Sequence, residues 1–145
     1  MKTERYKMFE TNSSSVHSLT IDSSGMEPSN LPVKNGYVVV PFGEFDKSGD
    51  YTSHIDKLSY LVTQCYYLCG LDIPDRDNCY HFRQIEDAVC DYCDGVKGIK
   101  IKGGNPYIDH QSLPEYELNL VNEWDESSVQ SFVFNKYITL TCSCD

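Results

Sequence analysis

The chain has 145 residues, enough to bury one real core, and no apolar run approaches the ~20 residues of a membrane span. Twelve Lys and Arg stand against 22 Asp and Glu, a formal net charge of −10. Such a chain repels a nucleic-acid backbone, whose binding depends on Lys and Arg displacing counterions, so direct nucleic-acid binding is not expected. The acid excess is local. Residues 72–94 hold seven acids against Arg76 and Arg83, and residues 103–145 hold seven against Lys136 alone. A basic partner surface is favoured electrostatically, and plain solvation is the competing reading.

The N-terminal M-K-T-E-R-Y-K-M-F-E has positive charge but no apolar segment after it. It is not expected to be a secretory signal, and the expected compartment is the cytoplasm. There, the seven cysteines read as reduced core residues or metal ligands, and an odd number cannot pair completely.

In chain order, residues 6–9 and 16–21 are short apolar stretches, and alternation over 16–21 predicts a strand. Residues 22–36 are rich in Gly, Pro, Ser and Asn and read as a loop. Y-V-V-V-P-F at 37–42 predicts a strand, and 43–53 a polar loop. From His54 to Cys69, apolar residues recur at helical spacing on one face, with Ser53 as N-cap and Gly70 and Pro74 as stops. A second helix starts near Asn78 with Phe82, Ile85, Val89 and Cys93 on its stripe, and Gly95 ends it. The short link makes the two an antiparallel hairpin. I-K-I at 99–101 and Y-I-T-L-T at 137–141 predict strands, 105–114 a loop, and E-Y-E-L-N-L-V a strand or a helix. Asp125 is placed to cap a helix over S-S-V-Q-S-F-V-F. The expected fold class is α+β: one domain over 1–145 with a mixed, mostly antiparallel sheet, a helical hairpin and one further short helix.

Cysteine thiolate and neutral imidazole are the ligands of structural zinc, so the seven Cys and four His raise a metal question. One candidate set is His17, His110, Cys142 and Cys144, with Asp109 and Asp145 nearby. All lie at the ends of predicted strands or in adjoining loops, and they converge if the first and last strands are neighbours. Three separate local features are the alternative: capping by Ser13–Ser15, an Asx turn closed by Asp109, and a frayed tail. A second set is Cys79, His81, Cys90 and Cys93, of which C-x2-C is a zinc-knuckle spacing. A helix over 80–90 works against this set, because eleven residues at 1.5 Å each separate Cys79 from Cys90 by roughly 16 Å. Cys65 and Cys69 share one helical face and are placed to meet Cys79 and His81 across the hairpin turn. Cys65, Cys69 and Cys93 also lie on apolar faces, where free cysteine packs as a small hydrophobe.

Enzyme signatures are sparse. Ser13–Ser15, His17 and Asp109 suggest a triad only on paper, since no G-x-S-x-G elbow is present. There is no P-loop, no G-x-G-x-x-G and no H-E-x-x-H.

Five segments carry a resemblance: F-E-T-N-S-S-S-V-H-S at 9–18, F-G-E-F at 42–45, K-L-S-Y-L at 57–61, Y-I-D-H-Q-S at 107–112 and F-V-F-N at 132–135. With these the chain resembles an uncharacterised family of small proteins from phages and prophage regions of Firmicutes. The family's members finish in a Gly-Asn-Asp-Asn-like stretch, where this chain has Cys142, Ser143, Cys144 and Asp145. The resemblance implies a mobile-element origin and a shared polar site near His17 and residues 109–112. It gives no established reaction.

Three functions are consistent with these observations. The first is an acidic phage protein that binds and inhibits a host defence effector acting on nucleic acid. It is of the anti-CRISPR type, with a Cas9 effector and its positively charged channel as the first target and a structural zinc expected. Eleven tyrosines suit such contact, and Glu115, Glu117, Glu123, Asp125 and Glu126 are its candidate docking acids. The second is a small zinc-dependent hydrolase using His17, His110, Cys142 and Cys144. The third is a structural zinc-binding phage accessory protein.

Overall fold

The computed structural model describes residues 4–7, 25–45, 49–108 and 125–142. Among these the strands are β1 (Glu4–Lys7), β2 (Val33–Lys34), β3 (Tyr37–Val40), β4 (Glu44–Phe45), β5 (Gly49–Tyr51), β6 (Gly98–Ile101), β7 (Tyr107–Ile108) and β8 (Ile138–Cys142). The helices are α1 (His54–Leu68), α2 (Tyr80–Tyr92) and α3 (Glu126–Phe134). The class is α+β, as the residue pattern predicts. The predicted strand over 16–21 and the segment E-Y-E-L-N-L-V lie outside the described residues.

The strands form three small sheets, ordered β1-β8-β5, β2-β3-β6 and β4-β7. Pairing is mixed, but the expected antiparallel majority is not seen among the described strands. β1 with β8, β3 with β6 and β4 with β7 are parallel, while β2 with β3 and β5 with β8 are antiparallel. Parallel partners need a long crossover, and the helical hairpin supplies one between β3 and β6. The expected loop over 22–36 contains a strand as well. Asn35 and Gly36 have φ of 54° and 85° and close a two-residue turn, so that Lys34 faces Tyr37 across the β2–β3 hairpin. Asn-Gly favours this turn because both central residues must take positive φ.

The helix ends follow local chemistry. Ser53 Oγ accepts from the Asp56 amide at 3.1 Å, and Asp125 Oδ1 accepts from the Ser128 amide at 2.8 Å. At the end of α1, Gly70 takes φ 87° and the Leu71 amide donates back to the Tyr66 carbonyl at 2.9 Å. This is the Schellman arrangement, which glycine at that position permits.

α1 differs from its expected one-sided pattern. Every residue from Leu58 to Cys65 is buried, polar ones included. The helix runs through the middle, packed by α2, α3, β3 and β7. Its polar side chains are used inside. Ser59 Oγ donates to the Pro41 carbonyl at 2.8 Å, and Thr63 Oγ1 accepts from the Gly43 amide at 3.0 Å. A hydrogen-bonded hydroxyl escapes most of the desolvation cost that an unpaired one incurs. These bonds hold the 41–43 segment on the helix, where a side chain at Gly43 would come within 2.9 Å of Ser59 Oγ. The core is completed by Phe82, Ile85, Ala88 and Val89 of α2, Val129, Phe132, Val133 and Phe134 of α3, and Val38, Val40, Ile99, Ile138 and Leu140 of the strands.

Candidate partner-binding loop

The turn between α1 and α2 reads C-G-L-D-I-P-D-R-D-N-C over 69–79. Cys69 is the C-cap of α1 and Cys79 the N-cap of α2, and a disulfide joins them with their Cα atoms 5.6 Å apart. The expected meeting of Cys69 with Cys79 across the hairpin turn is therefore seen. The expectation that all seven thiols stay reduced or metal-bound is corrected at this pair. Cys79 provides no side-chain cap hydrogen bond to α2, its sulfur being committed to Cys69.

Inside the ring, polar groups fix the chain. Asp75 Oδ1 accepts from the amides of Asp77 and Asn78, both at 2.8 Å. Asn78 answers by accepting from the Asp75 amide at 2.8 Å and donating to the Ile73 carbonyl at 3.1 Å. Such Asx contacts replace a backbone turn. Arg76 then ties the loop to α2, with Nη1 2.7 Å from Asp87 Oδ1 and 2.9 Å from Glu86 Oε1. These two carboxylates hold the guanidinium firmly protonated, Asp87 contributing most. Glu86 is only 7 % exposed, and its other oxygen accepts from the Ile99 amide at 2.8 Å. Glu86 is thus a structural acid joining the loop, α2 and β6, and not a docking one. Arg83 donates to the Arg76 carbonyl through Nη2 at 2.8 Å.

This braced loop displays apolar side chains. Leu71 is 60 % exposed, Ile73 61 % and Tyr80 64 %, the three highest values among the exposed large hydrophobic residues described. Exposed Asp72, Asp75 and Asp77 stand between them in the chain. Apolar groups on a pre-ordered loop with an acidic rim suit contact with another protein, because little ordering entropy remains to be lost on docking.

The zinc candidates fare differently. His17, His110 and Cys144 lie outside the described residues, and Cys142 ends β8. Of the strands leading toward them, β1 and β8 are neighbours, whereas β7 pairs with β4 in a separate sheet. Lys7 at the end of β1 lies beside Thr141, and Cys142 lies opposite Gly49. Ile108 lies beside Phe45, four positions before Gly49. The second set is not brought together. Cys79 is in the disulfide, α2 is helical throughout 80–92 and carries Cys90 to its far end, and Cys93 is buried. His81 Nδ1 is buried without a hydrogen-bond partner, and burial lowers its pKa. Burial also raises the thiol pKa of Cys65, Cys90 and Cys93. Among the described residues, no three His, Cys, Asp or Glu side chains gather to hold a metal.

Of the candidate docking acids, Glu115, Glu117 and Glu123 lie outside the described residues. Asp125 spends its carboxylate on capping α3, where the Ser128 amide and hydroxyl lower its pKa. Glu126 follows in the first turn of α3, exposed. Sequence reasoning passed over Leu71, Ile73 and Tyr80. The signal for them was two cysteines bracketing a Gly-, Pro- and Asp-rich turn that nonetheless contains large apolar residues. No known family model, curated protein or solved structure matches the chain.

Proposed function

We propose that this chain is a small acidic interaction protein that inhibits a basic, nucleic-acid-handling partner. The loop over 71–80 makes the docking contact. The observation that carries this reading is the concentration of Leu71, Ile73 and Tyr80 on a disulfide-closed turn rimmed by Asp72, Asp75 and Asp77. Three further features support it: the net charge of −10, the sequence resemblance to phage proteins, and the commitment of Glu86 to a buried hydrogen bond and of Asp125 to capping α3, which leaves docking to other acids. An anti-CRISPR action on a Cas9 effector is the first form to test, since such an effector holds its heteroduplex in a positively charged channel. The experiment is guided DNA cleavage with increasing protein, run at low and high salt. Inhibition that weakens as salt rises supports the reading. Full cleavage at saturating protein removes this target, and unaltered activity across several effector types removes the inhibitor class.

A second reading concerns zinc as a structural ion held by His17, His110, Cys142 and Cys144. It is supported by the parallel pairing of β1 with β8, which brings the ends leading to His17 and to Cys142 and Cys144 side by side. Two imidazoles and two thiolates complete a tetrahedral shell. Elemental analysis of protein purified without chelator tests it: about one zinc per chain is expected, lost in His17→Ala or His110→Ala. A folded, metal-free wild type ends this reading, and with it the zinc-hydrolase alternative.

A further inference from the structure

A pocket of about 570 Å3 opens between the segment at 26–33 and the end of α2, away from the disulfide loop. Its walls are apolar at Met26, Leu31, Val33 and Val96, and Glu27 and Asp94 stand among them. The lining contains no Lys, Arg or His. An anionic ligand is excluded by that charge, and the volume lies in the range of small-molecule sites.

Glu27 is held in place by its surroundings. Its amide donates to the Phe134 carbonyl at 3.0 Å, and its own carbonyl accepts from the Tyr92 hydroxyl. Its carboxylate Oε1 lies 3.4 Å from His54 Nε2. The Asn30 amide donates to His54 Nδ1 at 3.3 Å, so the ring hydrogen sits on Nε2 and points at Glu27. The imidazole is neutral in this arrangement and does not cancel the carboxylate. Tyr92 stacks on Phe134 at 4.1 Å and His54 meets the same ring edge-on at 5.2 Å, which stiffens the support. Lys57 also attracts Glu27, but its ammonium is buried on main-chain carbonyls and is no part of the pocket lining. The Glu27 side chain stays 45 % exposed.

A fixed, half-exposed carboxylate and a second acid over apolar walls match one ligand chemistry. We propose that this pocket binds an organic cation carried on an apolar stem, an alkylguanidinium or alkylammonium group. The stem lies against Met26, Leu31 and Val96, and the head pairs with Glu27 and Asp94. Charge-assisted hydrogen bonds of this kind are the stronger ones, and a guanidinium makes them in pairs.

The test is an amide-resolved NMR titration of the full chain at constant ionic strength. The probes are butylguanidinium, butylammonium, butyrate and butanol. Saturable shifts at Glu27, Tyr92 and Val96 are expected with the two cations and none with butyrate or butanol. Glu27→Gln with Asp94→Asn is expected to weaken butylguanidinium about tenfold while the rest of the spectrum is unchanged. If the double variant is unfolded, Asp94→Asn alone, at an exposed position, is expected to weaken it about threefold. An acetylated, amidated Gly-Arg-Gly peptide separates two sources of the cation. If the peptide also binds, the ligand is a partner's arginine side chain; if butylguanidinium alone binds, it is a free small cation. Butanol binding as well as the cations, or no saturable shift with either cation, overturns the proposal.

Discussion

Lys57 Nζ donates to the Ile138 carbonyl at 2.9 Å, across 81 positions of chain, and to the Asn135 carbonyl at 3.1 Å. One lysine of the central helix therefore fastens the turn between α3 and β8. Asn135 is the C-cap of α3, so the ammonium also meets the negative end of that helix. Lys57 is fully buried, and desolvation lowers its pKa from 10.5 to about 8, with Glu27 opposing the shift.

That shift predicts an alkaline gain in stability. The folded chain releases the Lys57 proton near pH 8 and the unfolded chain near 10.5. Between those values the unfolded state binds more protons, so raising the pH favours folding, by about 3 kcal/mol in all. Below pH 8 both states are protonated and the contribution is constant. Urea unfolding of wild type and Lys57→Met at pH 7.5, 9 and 10.5 measures it. The wild type is expected to gain on the variant as pH rises; parallel profiles contradict the buried-ammonium account.

His54 acts with the same sign at the acid end of the range. Burial lowers its pKa below 6.5, with Lys57 adding to the shift and Glu27 opposing it. The unfolded chain therefore takes up a proton at this residue first as pH falls. Stability from this group is complete above pH 6.5 and declines as pH drops through the folded value. His81, lowered by burial alone, contributes in the same direction. His54→Gln is expected to flatten the decline between pH 6.5 and 5, as followed by thermal unfolding, and His81→Gln to flatten it separately. A wild-type curve level across that range contradicts both assignments.

These two groups also show where the sequence is legible and where it is not. Ser53 and Asp125 are readable as caps because the amides they serve lie three residues away. The turn at Asn35-Gly36 was passed over: the dipeptide favours it, but it sat inside a Gly-, Pro-, Ser- and Asn-rich stretch read as loop. Lys57 was not readable. Its partners lie some eighty residues on, and a helix with one apolar stripe in sequence is surrounded on all sides in the fold. The parallel pairings share that cause: β1 finds β8 across nearly the whole chain. Of the sites, the approach of Cys69 to Cys79 was visible in helical spacing, whereas Leu71 and Ile73 were marked only by large apolar residues inside a turn-rich segment between two cysteines, and their degree of exposure is set by the surrounding surface.

The disulfide is expected to stabilise the fold modestly. Cys69 and Cys79 are ten positions apart, and closing so short a loop removes about 3 kcal/mol of unfolded-chain entropy in the loop-closure account. Cys69→Ser with Cys79→Ser is expected to unfold at correspondingly lower denaturant while keeping helical content. Dithiothreitol is expected to reproduce the loss in wild type and to leave the variant unchanged. Equal midpoints for oxidised and reduced wild type contradict a structural bond here.

The last prediction separates docking from folding. Leu71, Ile73 and Tyr80 are exposed, so serine at all three is expected to shift stability by no more than about 0.5 kcal/mol per site. Binding to a basic partner is expected to fall at least a hundredfold, because anchoring side chains at the centre of an interface contribute ~2 kcal/mol or more apiece. Asp72→Lys with Asp77→Lys acts differently. Reversing rim charge is expected to slow association and reduce its salt dependence with little change in dissociation, since steering is screened as the Debye length falls from ~10 Å at 0.1 M to ~3 Å at 1 M. Reversing Glu115, Glu117 and Glu123 is the matched comparison on the other acidic segment. Surface-plasmon kinetics on the three variants tell the contributions apart. If the serine variant binds like wild type while the Glu115, Glu117 and Glu123 reversal does not, docking belongs to that second segment. If neither reversal has any effect, the acidic character is solvation and the charge argument fails.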